Sequence, residues 1–176
     1  MGKLSDKLNA GKNTGKENFA NGSKDSMNNS RYVFFDKTAD AKFQAFGKDL
    51  EEVFSNSLEA MISLTYDITE IQELSNQEFY SQEREIFVEG ETIESLLYNF
   101  LEESIFLLGA ESFIGLVSEI LIEEDADGKF TLTATFIGTQ TLNINSVGPE
   151  VKAVTYNEMY VRYEKGKYVA QVVVDI

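Results

Sequence analysis

Residues 130–137 read FTLTATFI. In an extended chain, Phe130, Leu132, Ala134 and Phe136 point to one side and Thr131, Thr133 and Thr135 to the other, which is the period of a strand with one buried face and one wet face. A helix scatters this pattern around its whole circumference, so the segment commits the chain to a sheet. Asp127-Gly128 precedes it as a strong turn signal, and Val117–Glu123 before the turn supplies a partner strand. A second hairpin follows, Met159–Tyr163 with Tyr168–Asp175, turned over Glu164–Lys167 around Gly166.

Upstream the period changes. After Gly47, Asp49 is placed to cap a helix with Glu52 at the third position, and Leu50, Val53, Phe54, Leu58, Met61 and Ile62 form one apolar stripe. Thr92 caps a second helix with the stripe Ile93, Leu96, Leu97, Phe100, Leu101, Ile105 and Leu108, and Gly109 is placed to end it. Tyr32–Phe35 and Ala41–Phe46 read as short strands around the polar stretch KTAD, and Arg84–Glu89 as another strand. Residues 66–82 show no period and read as an irregular acidic connection. The expected fold class is α+β: a single domain with two main helices on a largely antiparallel or mixed β-sheet.

Residues 1–30 differ from all of this. They are rich in Asn, Gly, Ser and Lys with scattered apolar residues, too few to offset chain entropy, so they read as a disordered tail before a domain at 31–176. The tail holds five lysines against Asp6, Glu17 and Asp25, whereas the whole chain has 15 basic and 30 acidic residues. The domain is therefore strongly acidic. Its field repels phosphate backbones, so the body is not expected to bind nucleic acid directly unless a cation or a basic partner mediates it, and basic proteins or divalent cations are the natural partners. There is no cysteine and no histidine, which removes thiolate and imidazole chemistry and the commonest general base. No apolar run approaches the length of a spanning helix and the start is not that of a signal peptide, so the expectation is a cytoplasmic protein with no membrane attachment.

The remaining candidates for chemistry are carboxylates. IEEDADGKF alternates Glu123, Asp125 and Asp127 before Gly128 like the start of a calcium loop, but the twelfth position falls on Ala134 where a glutamate is required; a hairpin turn explains it better. Glu102 and Glu103 on the second helix read as a solvated face. The sequence closes on YVAQVVVDI, an apolar strand that sets Asp175 beside the main-chain carboxylate of Ile176. Asp40, next to the first strand turn, can supply a third carboxylate. Such an oxygen-only set prefers calcium, magnesium or manganese to zinc.

These residues also carry a resemblance. FFDKTAD (Phe34–Asp40), GKDLEEVF (Gly47–Phe54), VEGE with the helix ending LLYNFLEESIFL, VKAVTYN (Val151–Asn157) and the final VVVDI follow one another in the order and spacing of the archease family, over about residues 32–176. The resemblance implies a small α+β protein that assists the RtcB-type tRNA-splicing RNA ligase, promoting guanylylation of the ligase and its multiple turnover without being a ligase or other enzyme itself. It implies a divalent cation, calcium first, on Asp40, Asp175 and Ile176. Asp36, Lys37, Lys152 and Thr155 fall at positions that would support the site or touch the partner. Two positions depart from the pattern: Lys37 and Asn157 stand where the family carries histidine. A charged ammonium does not coordinate a metal, so Lys37 is expected to pair with a carboxylate and weaken cation binding. The resemblance also allows a chaperone-like modulator of tRNA-modifying enzymes such as a tRNA methyltransferase. A stand-alone metal-dependent hydrolase is disfavoured, because no second base or phosphate-binding element is visible.

Overall fold

The computed structural model describes residues 30–35 and 40–176; all of the proposed tail at 1–30 but Ser30 lies outside them, as do Asp36 and Lys37. The described elements run β1 (Tyr32–Phe35), β2 (Asp40–Gly47), α1 (Leu50–Ser63), α2 (Ile68–Ser75), β3 (Gln82–Gly90), α3 (Ile93–Glu111), β4 (Phe113–Glu124), β5 (Phe130–Gln140), β6 (Ala153–Glu164) and β7 (Lys167–Asp175). The class is α+β as expected, but the strands divide into two antiparallel sheets. One is ordered β1-β2-β7-β6 and the other β3-β5-β4.

Local chemistry explains most boundaries. The Asp49 carboxylate accepts from the Glu52 amide at 2.9 Å while Glu52 Oε2 accepts from the Lys48 amide at 2.6 Å, so two orphan donors at the start of α1 are satisfied. Thr92 and Ser95 exchange the same kind of bonds at the start of α3. That helix does not stop at Gly109; it runs on to Glu111 and ends at Ser112, which adopts the left-handed conformation with φ 52°. Residues 66–82 are not wholly irregular either. Asp67 caps α2, whose Ile71 is fully buried; eight residues are too short for a visible stripe.

Both strand-to-helix junctions use one plan. A Cβ on Gly47 would lie 2.3 Å from the Val53 nitrogen, and one on Gly90 2.4 Å from the Leu96 nitrogen. In each case a glycine six residues upstream lets the first helical turn fold back against the strand that precedes it.

Helices α1 and α3 each touch both sheets and so join them into one core. Phe54 of α1 meets Phe100 of α3 at 5.8 Å between ring centres, and Phe100 meets Phe136 of β5 at 5.7 Å, edge to face. All three are buried, and each contributes about 1.5–3 kcal/mol by removal from water. β7 lies between β2 and β6, and Val169 to Val174 are buried without a break. On its core face stand Ala170, Val172 and Val174, opposite Ala45, Phe43 and Ala41. The reverse face, with Asp40, Lys42, Gln44, Gln171 and Asp175, carries the polar residues that matter next.

Candidate cation site at the strand ends

The antiparallel register places Asp40 directly opposite Asp175. Residues so paired have Cβ atoms about 4.5–5.5 Å apart on the same face, where two like charges oppose each other unless a cation joins them. On the other side, β6 begins at Ala153, which is paired with Asp175. Just before it, Lys152 grips the end of β7 twice. Its amide donates to the Asp175 carbonyl at 2.9 Å, and its Nζ donates to the main-chain oxygen of Ile176 at 3.0 Å. Thr155 donates from its hydroxyl to the Val173 carbonyl at 3.0 Å. Of the residues singled out in the sequence, Asp40, Asp175, Ile176 and Lys152 meet at one end of this sheet. Thr155 fastens the adjacent strand.

Further residues on the same face were not legible as site residues. Lys42, two positions along β2 from Asp40, forms an ion pair with Glu158. Gln44 Nε2 donates to the Tyr160 hydroxyl at 2.8 Å and to Gln171 Oε1 at 3.0 Å, and Gln171 Nε2 donates to the Glu158 carbonyl at 2.8 Å. This network holds a bulge. Between Thr155, opposite Val173, and Tyr160, opposite Gln171, β6 carries extra residues, and Glu158 within them has φ 56°. The one sequence signal was Gln171, a lone amide inside the apolar run of β7.

The other carboxylate candidates are used structurally. Asp125 Oδ1 accepts from the amides of Asp127 and Lys129, both at 2.9 Å, and Gly128 has φ +81°, so IEEDADGKF is a hairpin turn whose Asp125 carboxylate is spent on backbone donors. Glu102 is not simply solvated: its Oε1 accepts from the Val154 amide at 2.6 Å. Glu94 does the same for the Val161 amide at 3.2 Å. Together they serve the outward amides of β6, an edge strand.

Among the described residues, no three His, Cys, Asp or Glu side chains gather closely enough to hold a metal by themselves. What the register brings to one strand end is two residues with side-chain carboxylates, next to the main-chain oxygen of Ile176, all hard donors. That fits a calcium or magnesium ion which keeps its remaining coordination positions for water or for oxygens from elsewhere.

Known proteins resemble this chain in sequence and fold. The sequence model of the archease protein family matches residues 32–176. Protein archease of Methanosarcina barkeri is 34% identical over 152 residues, covering 86% of this chain and 99% of that protein. Protein archease of Methanothermobacter thermautotrophicus is 35% identical over 145 residues, covering 82% and 98%. The solution structure of a Methanobacterium thermoautotrophicum protein superposes with a TM-score of 0.70 at 34% identity, covering 83% of this chain and 99% of that one. A Thermotoga maritima archease crystal structure, described as a possible chaperone, shares the fold with a TM-score of 0.52 at 18% identity, covering 81% and 94%. With a family match across the whole α+β domain and relatives matched over nearly their full length, this chain belongs to the archease family.

Proposed function

We propose that the protein is a non-catalytic activator of an RtcB-type tRNA-splicing RNA ligase, promoting guanylylation of the ligase and its repeated turnover through a divalent cation held at Asp40, Asp175 and Ile176. The observation that carries this reading is the cross-strand register that sets Asp40 opposite Asp175, beside an Ile176 oxygen held by Lys152. A calcium ion, or magnesium or manganese in its place, would supply positive charge and exchangeable oxygen coordination close to the phosphates of a bound nucleotide. Three protein oxygens leave coordination positions that a partner's carboxylates or phosphates can enter.

The protein's own residues do the rest. Lys152 fixes the Ile176 oxygen in place, and Lys42 with Glu158 borders the carboxylates on the same face. The acidic body, with 30 carboxylates in the chain against 15 cations, speeds encounter with a basic RNA-binding ligase while repelling free tRNA. The family resemblance also allows a second reading, a chaperone-like modulator of a tRNA methyltransferase.

Guanylylation of the cognate purified ligase under limiting metal tests the proposal. The assay is run with no addition, with this protein and with its Asp40→Ala variant. Stimulation by the native chain and loss in the variant is the expected result. Stimulation retained in Asp40→Ala removes the cation from the mechanism, and no stimulation by either chain favours the methyltransferase reading.

A further inference from the structure

The sheet β3-β5-β4 has an outer face opposite its core, and only part of it is covered. Helix α2 packs on β4 and β5, with Gln72, Ser75 and Asn76 sharing a cleft with Leu116 and Ile137. Beyond it, among the described residues, the outward side chains of the sheet are exposed or half-buried. Register sets them in three rows: Glu85, Thr135 and Glu119; then Phe87, Thr133 and Leu121; then Glu89, Thr131 and Glu123. The central row exposes Phe87 at 60% and Leu121 at 54%, although both stand at positions that a solvated strand would fill with polar residues.

The flanking rows are uniform in charge. Glu85, Glu89, Glu119 and Glu123 are all exposed, and no lysine or arginine stands in the three rows. The nearest cation along the hairpin, Lys129, is bound to Glu91 at 2.8 Å. Rows on one face lie about 7 Å apart and strands about 4.8 Å apart, so four carboxylates bracket an apolar centre roughly 10 Å wide.

We propose that this face is a docking surface for a basic polypeptide segment that places an apolar side chain between Phe87 and Leu121 and cationic side chains over the four glutamates. Charge selects the occupant. A second copy of the same face would set four carboxylates against four, and nucleic acid or anionic lipid would meet the same repulsion. A polypeptide with arginines or lysines around an apolar residue satisfies both rows and the centre at once. The inference does not rest on the Asp40 and Asp175 site, which belongs to the other sheet.

The test uses the full chain, labelled with nitrogen-15, and a synthetic peptide with two arginines on each side of a Leu-Phe-Leu centre. The expected result is salt-sensitive shifts confined to amides of the three rows. The Phe87→Ser/Leu121→Ser variant is expected to lose the shifts. The variant with Glu85, Glu89, Glu119 and Glu123 all changed to Gln should bind about tenfold more weakly, the sum of four modest exposed pairings. Because all six side chains are exposed, the Phe87→Ser/Leu121→Ser variant should melt with the parent, and the glutamine variant, with less carboxylate repulsion, should melt no lower than the parent. Shifts that map instead to Asp40, Lys42 or Asp175, or affinity unchanged in both variants, would overturn the proposal. So would concentration-dependent shifts of the same rows without peptide, which would make a second copy the occupant. Equal shifts with an anionic oligonucleotide or anionic lipid vesicles would overturn the charge argument.

Discussion

Residue by residue, the acidic surface works on its neighbours as well as on partners. Tyr98 of α3 stacks on Tyr156 of the β6 bulge, with ring centres 4.2 Å apart and planes 8° from parallel. Its phenol is raised above the ordinary value of 10.0, first by desolvation and then by the nearby charges of Glu102 and Tyr156. The sign follows from the shift: the fold favours the neutral phenol, so this contribution to stability is fully present below pH about 10 and fades as pH climbs through the folded-state value. In an ultraviolet titration at 295 nm, the signal assigned to Tyr98 by difference against Tyr98→Phe should appear above the ordinary tyrosine value of 10.0. Glu102→Gln should move it back downward. Ionisation of Tyr98 at the ordinary value would show that neither burial nor Glu102 acts on it. The same carboxylate thus shapes a neighbour's proton affinity and holds a backbone amide, a double use invisible in a sequence where Glu102 and Glu103 read as the solvated face between core positions.

At the scale of elements, the way α3 fastens β6 can be measured. Val154 is buried, and its amide is met by Glu102 Oε1 at 2.6 Å. Glu102→Ala leaves that donor without its partner and should cost about 1–3 kcal/mol in urea unfolding, whereas Glu102→Gln keeps an acceptor and should cost less. Equal losses for the two variants would place the effect in helix propensity or packing rather than in the bond. The comparison also shows what the residues could and could not reveal. The caps at Asp49 and Thr92, the stripes of α1 and α3, and the alternation of β5 are local patterns, and each was readable. The division into two sheets was not, because which strands pair across long separations depends on closure against α1 and α3, which no short window records. Helix α2 escaped because eight residues with one fully buried side chain, Ile71, carry no period. Of the candidate site, Asp175 and Ile176 stood out as charge at the end of an apolar strand, and Asp40 through its place beside the strand turn. Lys42, Gln44 and Glu158 did not, since the β2 register and the β6 bulge that gather them are tertiary facts.

For the whole molecule, a net charge of −15 means that the folded state confines repulsive carboxylates, and both bound cations and plain salt relieve that repulsion. Separating the two effects tests the Asp40 and Asp175 pairing against general screening. A specifically bound ion stabilises by mass action, about 2.7 kcal/mol at a hundredfold excess over its dissociation constant. In a protein of this size that is a rise in Tm of about 5–10 °C. Millimolar calcium should therefore raise Tm well beyond sodium chloride of equal ionic strength, and the excess should vanish in Asp40→Ala and Asp175→Ala. Those variants should still respond to sodium chloride, because the remaining glutamates, including the four around Phe87 and Leu121, are unchanged. If calcium and matched sodium chloride raise Tm equally in the native chain, the facing carboxylates hold no ion of their own and the acidity acts only as a diffuse field. If the calcium excess persists in both variants, the ion sits elsewhere on the acidic surface. Either result would leave the family assignment standing and would move the search for the activating contact from Asp40 and Asp175 to the other faces of the domain.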